Sequence, residues 1–328
     1  MLTSTRELIE AEVGILGAQN VAVCDTVPSS RGGGPPMSLV RGAARVIPWD
    51  EAFRDPDAVH VIHTFTPYSL HDMKRKVFVA HGVPEYCWWD EISRKSPNWW
   101  QITTLLRLCD ATVCWFHRDR EFWEELSGGS IHPIRRGVDL EYWRASSYED
   151  PLVHPYLLYA DALRLVKLPF TLLFAVKKVQ RVLPYTYIKL VLSDPETYIP
   201  WSNLVTGLGM EHHVPMGFGM LSDPRPMYTN ADMVVSPVMW GFLSRVPLEA
   251  MACGTPIVCL SGVEDDDPIH GVRVDDTPES MASGIIHLWS RIHDDPQGER
   301  EKARKLAERH YDIRNTAREL IKVCEGVM

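Results

Sequence analysis

The chain lacks the two closely spaced cysteine pairs of a zinc module. The seven cysteines, Cys24, Cys87, Cys109, Cys114, Cys253, Cys259 and Cys324, are odd in number, scattered, and mostly set within apolar runs. That excludes a disulfide framework or a zinc module as the basis of the fold and marks them as reduced core thiols. A basic excess is also missing. Against 34 Lys and Arg stand 43 Asp and Glu, a net charge of −9, and both halves share the acidic balance. A broadly basic nucleic-acid surface is therefore not expected. Long apolar runs are absent as well, since charge interrupts them at Asp161, Arg164 and Lys167, and the N-terminus shows no basic segment followed by an apolar one. No stable membrane insertion is expected, and the reading is a soluble, cytoplasmic protein. What remains is a globular composition, 45% hydrophobic and 23% charged over 328 residues. That is long for one core and comfortable for two domains of about 150 residues each.

The stretch around which the rest is organised runs from Ala231 to Gly262, ADMVVSPVMWGFLSRVPLEAMACGTPIVCLSG. The short apolar run Met233 to Ser236, bounded by Pro237, reads as a buried parallel strand. A loop, Met239 to Ser244, carries Gly241, and Arg245 to Ala252 has the composition of a helix in which Pro247 is tolerated only in the first turn. Gly254 stops that helix, and Pro256 to Leu260 makes the next strand. A glycine-containing loop leading into a helix beyond a parallel strand offers unpaired N–H groups and the positive end of a dipole, which suits a diphosphate. Glu249, one turn further in, can accept hydrogen bonds from a ribose diol. An ordinary β-α-β unit with a solvated Glu fits the same pattern.

This string resembles the C-terminal signature of retaining glycosyltransferases of family 4, which have the GT-B fold. The resemblance implies an α/β chain of two Rossmann-like domains facing across a cleft, with the nucleotide-sugar donor held by the second. In that family two glutamates bracket seven residues; here the first falls on Gly241 and only Glu249 is present. Residues Gly241, Phe242, Leu243, Ser244 and Arg245 then correspond to the donor loop. Upstream, Tyr156 to Tyr159 resembles the first strand of the donor domain. The family's Gly-Arg-Leu and Lys-Gly follow it as Asp161-Ala162-Leu163 and Lys167-Leu168. Lys167 stands where the family has its diphosphate-binding cation, Ala162 replaces the family's Arg, and Arg164 reaches the phosphates only if the loop is reshaped. Around Met216 to Gly219 the backbone would read the nucleobase, which brings Gly217 and Phe218 into the site. KVFVAHGVPE places His81 at the carboxyl end of a strand, where the family has a His-Gly that meets the donor; a structural His fits there too.

Along the rest of the chain, Thr3 to Leu16 has helical spacing. Strands are expected at Asn20 to Thr26, Ala44 to Pro48, Ala58 to Thr64, Lys76 to Ala80, Ala111 to Phe116, Ser130 to Arg135 and Tyr187 to Leu192. Helices are expected at Asn98 to Leu108, Asp119 to Leu126, Pro278 to Ile292, Glu299 to Arg309 and Ile313 to Val323. Strands alternating with helices argue for parallel sheets covered on both faces. The family's usual opening strand and glycine-rich turn are not evident before the first helix. Val21 to Asp25 with Ser29 to Pro36 can stand in for them, or the latter is a surface loop. The aromatic cluster Tyr86, Trp88, Trp89, Trp99 and Trp100 is either acceptor-pocket lining or core. RRGVDLEYW resembles the segment that closes the family's first domain. The expected domains are 1–150 (acceptor), 151–310 (donor) and 311–328, a helix crossing back to the first domain.

The expected activity is metal-independent, retaining transfer of a sugar from a UDP- or GDP-sugar. Lys167, Glu249 and His81 are the central residues, no metal is ligated, and no cofactor is required beyond the donor. The acceptor, whether glycan, lipid, small molecule or modified nucleobase, is left open. Two other readings fit the sequence: a nucleotide-sugar binding protein without useful transfer, favoured by Gly241 and Ala162, and transfer to modified bases in DNA.

Overall fold

A computed structural model describes residues 7–11, 15–16, 22–24, 45–47, 58–62, 74–80, 84, 88, 98–146, 154–160, 167, 169–192, 198–218, 223–239, 243–262 and 267–327. The chain forms two compact units. One comprises Met1–Asp139 with Asp312–Met328, and the other Leu140–Tyr311. The division thus falls after Asp139 and not at 150. Residues 140–146 join the second unit because their backbone is bonded there, Ser146 N–H donating to Thr229 Oγ1 at 3.1 Å and Arg304 binding the Leu140 and Trp143 carbonyls.

In the first unit β1 (Ala22–Cys24) and β2 (Arg45–Ile47) pair in parallel. A four-stranded parallel sheet follows in simple order, β3 (Val59–Ile62), β4 (Arg75–Val79), β5 (Ala111–Cys114) and β6 (Ser130–Pro133). Among the described residues β1 and β2 are not hydrogen-bonded to this sheet. Helices α1 (Asn98–Leu108) and α2 (Arg120–Leu126) make the crossovers. Their inward residues Ile102, Leu105, Leu106 and Trp123 close a core over Phe78, Cys114 and Ile131. Pro133 lies on the edge strand, where its missing N–H costs no ladder bond.

The second unit is a six-stranded parallel sheet in the order β12-β11-β10-β7-β8-β9. Its strands are β7 (Tyr156–Tyr159), β8 (Tyr187–Leu192), β9 (Met216–Phe218), β10 (Met233–Ser236), β11 (Ile257–Leu260) and β12 (Gly271–Val274). The central strands β7, β10 and β11 are buried along their whole length, which is why each is a mainly apolar run and not an alternating one. Helices α3 (Pro169–Val179), α4 (Tyr198–Gly207) and α7 (Pro278–Asp294) contribute Leu172, Leu173, Val176, Val205, Met281, Ile285 and Leu288 to one apolar cluster. Between β9 and β10 lies the short α5 (Arg225–Asn230); α6 (Arg245–Ala252) and α8 (Pro296–His310) pack on each other. Helix α4 and strand β12 were not anticipated. The first carries Pro200 in its opening turn and ends on Gly207, and the second is four residues beginning with Gly271, so neither carries a strong local signal.

Two glycines are dictated by geometry. Gly254 has φ +82° and ends α6: its N–H bonds the Met251 carbonyl at 3.0 Å, and Thr255 N–H bonds the Ala250 carbonyl at 2.8 Å, the paired closure of a Schellman motif. Gly137 lets the backbone of residues 312–313 approach; a Cβ there would lie 2.6 Å from Ile313 N. That approach allows the Val138–Asp312 bridge and the bond from Ile313 N–H to the Val138 carbonyl. Helix α9 (Ile313–Gly326) then stays with the first unit, its Thr316 hydroxyl donating to the Arg135 carbonyl at 2.9 Å.

Candidate functional site

The strand order of the second unit reverses between β7 and β10, which are paired neighbours. In an open doubly wound sheet the loops leaving the carboxyl ends of two such strands diverge to opposite faces and leave a crevice between them. From β7 the chain passes to Lys167, just before α3; from β10 it passes to α6. The topology therefore brings the elements carrying Lys167 and Glu249 to one edge of one sheet. Lys167 is buried, 8% exposed, although it carries an ammonium group. A buried cation requires compensating partners.

Helix α6 starts at Ser244, an extended N-cap whose hydroxyl makes no capping bond; Ser244 and Leu243 are both buried. Pro247 falls in the first turn, where no N–H is needed. Glu249 lies one turn in and is 8% exposed. Its carboxylate is held from two sides. Tyr228 Oη donates to Oε2 at 2.8 Å, and Arg245 Nε donates to Oε1 at 2.9 Å, one turn earlier on the same helix. The expected solvated or ribose-facing carboxylate is thus already tied into the protein, and Arg245, expected on the donor, is paired with Glu249.

Tyr228 is itself fixed at several points. Its carbonyl accepts from Thr255 Oγ1 at 2.6 Å, and its ring meets Trp143 edge-on, centroids 5.8 Å apart. Trp143 meets Tyr142 in the same way, and the Arg225 guanidinium lies 4.8 Å above the Tyr142 ring. Arg225 also binds Asp223, and this hydrogen bond holds the Asp223 carboxyl below its ordinary range. Arg304 of α8 donates to three carbonyls, those of Trp143 at 2.7 Å, Ala252 at 2.6 Å and Leu140 at 3.2 Å. A guanidinium at the last carbonyl of α6 complements that helix end. Cys253, beside it, donates to the Arg144 carbonyl at 3.7 Å, and burial pushes its thiol up to about 12, so it is inert.

None of Tyr228, Trp143, Arg225 or Arg304 was singled out in the sequence. Tyr228 stands 21 positions before Glu249, and no periodicity links residues that meet only through a β-α-β crossover. Gly217 and Phe218 fall on β9, the edge strand paired to β8 through Val191 and Leu192. His81, Arg164, Gly241 and Phe242 lie outside the described residues, as does the glycine-rich segment 29–36. Two further buried charge clusters are structural. Asp232 accepts from Tyr156 N–H and pairs with His154, both at 2.7 Å, at the amino ends of β7 and β10. Glu299 is bonded by His270 at 2.9 Å, Arg291 at 2.5 Å and Lys302 at 2.8 Å beside the start of β12. Among the described residues no three His, Cys, Asp or Glu side chains are grouped to hold a metal ion, and no helix is long and apolar enough to cross a membrane.

Two parallel α/β units, the second doubly wound with its crevice at the switch point, make this a protein of the GT-B fold. Residues 164–291 match the family model described as glycosyl transferases group 1, and this segment contains Lys167, Tyr228 and Glu249. Similar solved structures include sucrose-phosphate synthase from Thermosynechococcus elongatus (17% identity, TM-score 0.69, covering 98% of this chain and 92% of that one). They also include the Anabaena protein Alr3699/HepE crystallised with UDP and glucose (15%, TM-score 0.72, 98% and 96%). A third is a glycosyltransferase from Rickettsia africae (15%, TM-score 0.72, 99% and 94%). The search of curated protein sequences finds no match.

Proposed function

We propose that this chain is a glycosyltransferase that moves a sugar from a nucleotide diphosphate-sugar to an acceptor with retention of anomeric configuration. The observation that carries this reading is that the strands leading to the buried Lys167 and to the helix of the buried Glu249 are paired neighbours at the switch point of the second unit, within the segment that matches glycosyl transferases group 1. UDP-sugars come first among donors because similar folds were crystallised with UDP and with UDP-glucose; GDP-sugars are the alternative.

In this reading the Lys167 ammonium neutralises charge that builds on the departing diphosphate, joined by N–H groups at the start of α6, from Leu243 to Arg245. Those fixed positive groups do the work that a divalent ion would otherwise do, and the reaction proceeds without one. The leaving phosphate oxygen accepts the acceptor's proton on the same face, which keeps the configuration without a protein nucleophile. Glu249 receives the ribose, and His81 keeps the role that the sequence resemblance gives it.

A binding protein without transfer is the second reading, and one observation favours it: both Glu249 oxygens are already bonded inside the protein. The two are separated by measuring diphosphate release from a panel of UDP- and GDP-sugars with glycan, lipid and small-molecule acceptors. Transfer is expected with at least one donor, and Lys167→Ala is expected to lower kcat about 100-fold, as loss of one preorganised charge-stabilising donor does. Tight UDP or GDP binding without release on any acceptor would favour the binder. No binding of either nucleotide would overturn both.

A further inference from the structure

Resting on the reading of Glu249 as the ribose acceptor, we propose that Tyr228 is the positioning residue for that carboxylate and that Trp143 holds Tyr228 to the task. A glutamate has three side-chain rotors, and a carboxylate that must meet a vicinal diol has to be held in one of many arrangements before the ligand arrives. On α6 that arrangement is set by Tyr228 Oη on Oε2 and Arg245 Nε on Oε1. A carboxylate offers about four acceptor positions, so it can accept from Tyr228 and Arg245 and still be an acceptor for a diol. The two internal bonds differ in kind. Arg245 lies on the same helix and moves with Glu249. Tyr228 comes from α5 and is anchored independently, by Thr255 Oγ1 on its carbonyl and by the Trp143 ring edge on its own ring.

Trp143 is 3% exposed and belongs to the segment 140–146 that begins the second unit. Arg304 bonds its carbonyl together with that of Ala252, the last residue of α6. The start of the unit, α5 and the Glu249 helix are thus one bonded assembly, and a change at Trp143 reaches the nucleotide site through Tyr228 and not through contact with ligand.

The test titrates UDP and GDP into the full chain by calorimetry, with variants Tyr228→Phe, Glu249→Ala, the double variant and Trp143→Leu, alongside donor KM and kcat. Tyr228→Phe keeps the ring against Trp143 and removes only the hydroxyl. It should weaken nucleotide binding about tenfold, the scale of one hydrogen bond to a charged group, raise donor KM by the same factor and leave kcat unchanged. In the Glu249→Ala background it should add nothing, because its effect passes through that carboxylate. Trp143→Leu should show a smaller loss that also vanishes without Glu249, which keeps the idea testable if one variant fails to fold. Unchanged affinity in folded Tyr228→Phe, or an equal loss in the Glu249→Ala background, would overturn the positioning role alone. Wild-type affinity in folded Glu249→Ala would instead overturn the ribose assignment, and this inference with it.

Discussion

At the scale of single residues the site is defined by what it costs to bury charge. Glu249 and Lys167 are each only 8% exposed, and neither is maintained in that state without partners. For Glu249 two of those partners are visible, and they make the carboxylate a fixed acceptor. Glu249→Ala should weaken UDP binding by about 1.5–3 kcal/mol, the value of hydrogen bonds to a charged group, or roughly 10- to 150-fold in Kd by calorimetry. The residue identities most useful for this expectation, Glu249 and Lys167, were legible in the sequence because they stand in short, recognisable strings. Their partners were not. Tyr228 comes from α5 and Trp143 from the segment beginning the second unit, and only the packing of those segments on α6 brings them to Glu249.

At the scale of elements, local chemistry decides where helices stop and what keeps them docked. Gly254 permits the left-handed closure of α6, and the nearest atom a Cβ there would meet is Arg300 O at 3.4 Å, an ordinary contact. Gly254→Ala is therefore expected to cost about 1–2 kcal/mol from backbone conformation alone, read as a lowered midpoint in urea with unchanged slope. The Glu299 cluster gives a pH expectation. Burial opposes its ionisation, but Lys302, Arg291 and His270 together hold the carboxyl below its ordinary 4.5. Burial also lowers His270 below its ordinary 6.5. For both groups the unfolded chain binds more protons than the folded one between the two pKa values, so stability falls as pH falls. Thermal midpoints should begin to drop below about pH 6.5 as His270 titrates and drop again below about pH 4.5 as Glu299 does. Glu299→Gln should remove the second step; a step that persists would place its origin elsewhere.

At the scale of the molecule, the chain leaves its first unit at Asp139 and returns to it at Asp312. Helix α9 buries Ile313, Ala317, Leu320 and Val323 there. A variant ending at Tyr311 should lose about 5 kcal/mol from those side chains, and trypsin should then cleave residues 98–139 much faster than residues 223–310. Equal resistance of the two would show that α9 adds little to the first unit.

The sequence alone determined the parallel α/β class, because buried central strands must be mainly apolar runs and the helices between them must carry a single apolar face. It placed β10 and α6 at the ends now observed, since Pro237, Ser244 and Gly254 punctuate the chain through local backbone chemistry. It missed α4 and β12, where propensity is weak and burial against the sheet supplies the stability. Only the tertiary structure decided that the second sheet reverses its order between β7 and β10, that Glu249 answers to Tyr228, and that residues 140–146 belong to the second unit. Each of these depends on contacts between residues far apart in the chain, and the energy of such contacts leaves no periodic trace in the order of the amino acids.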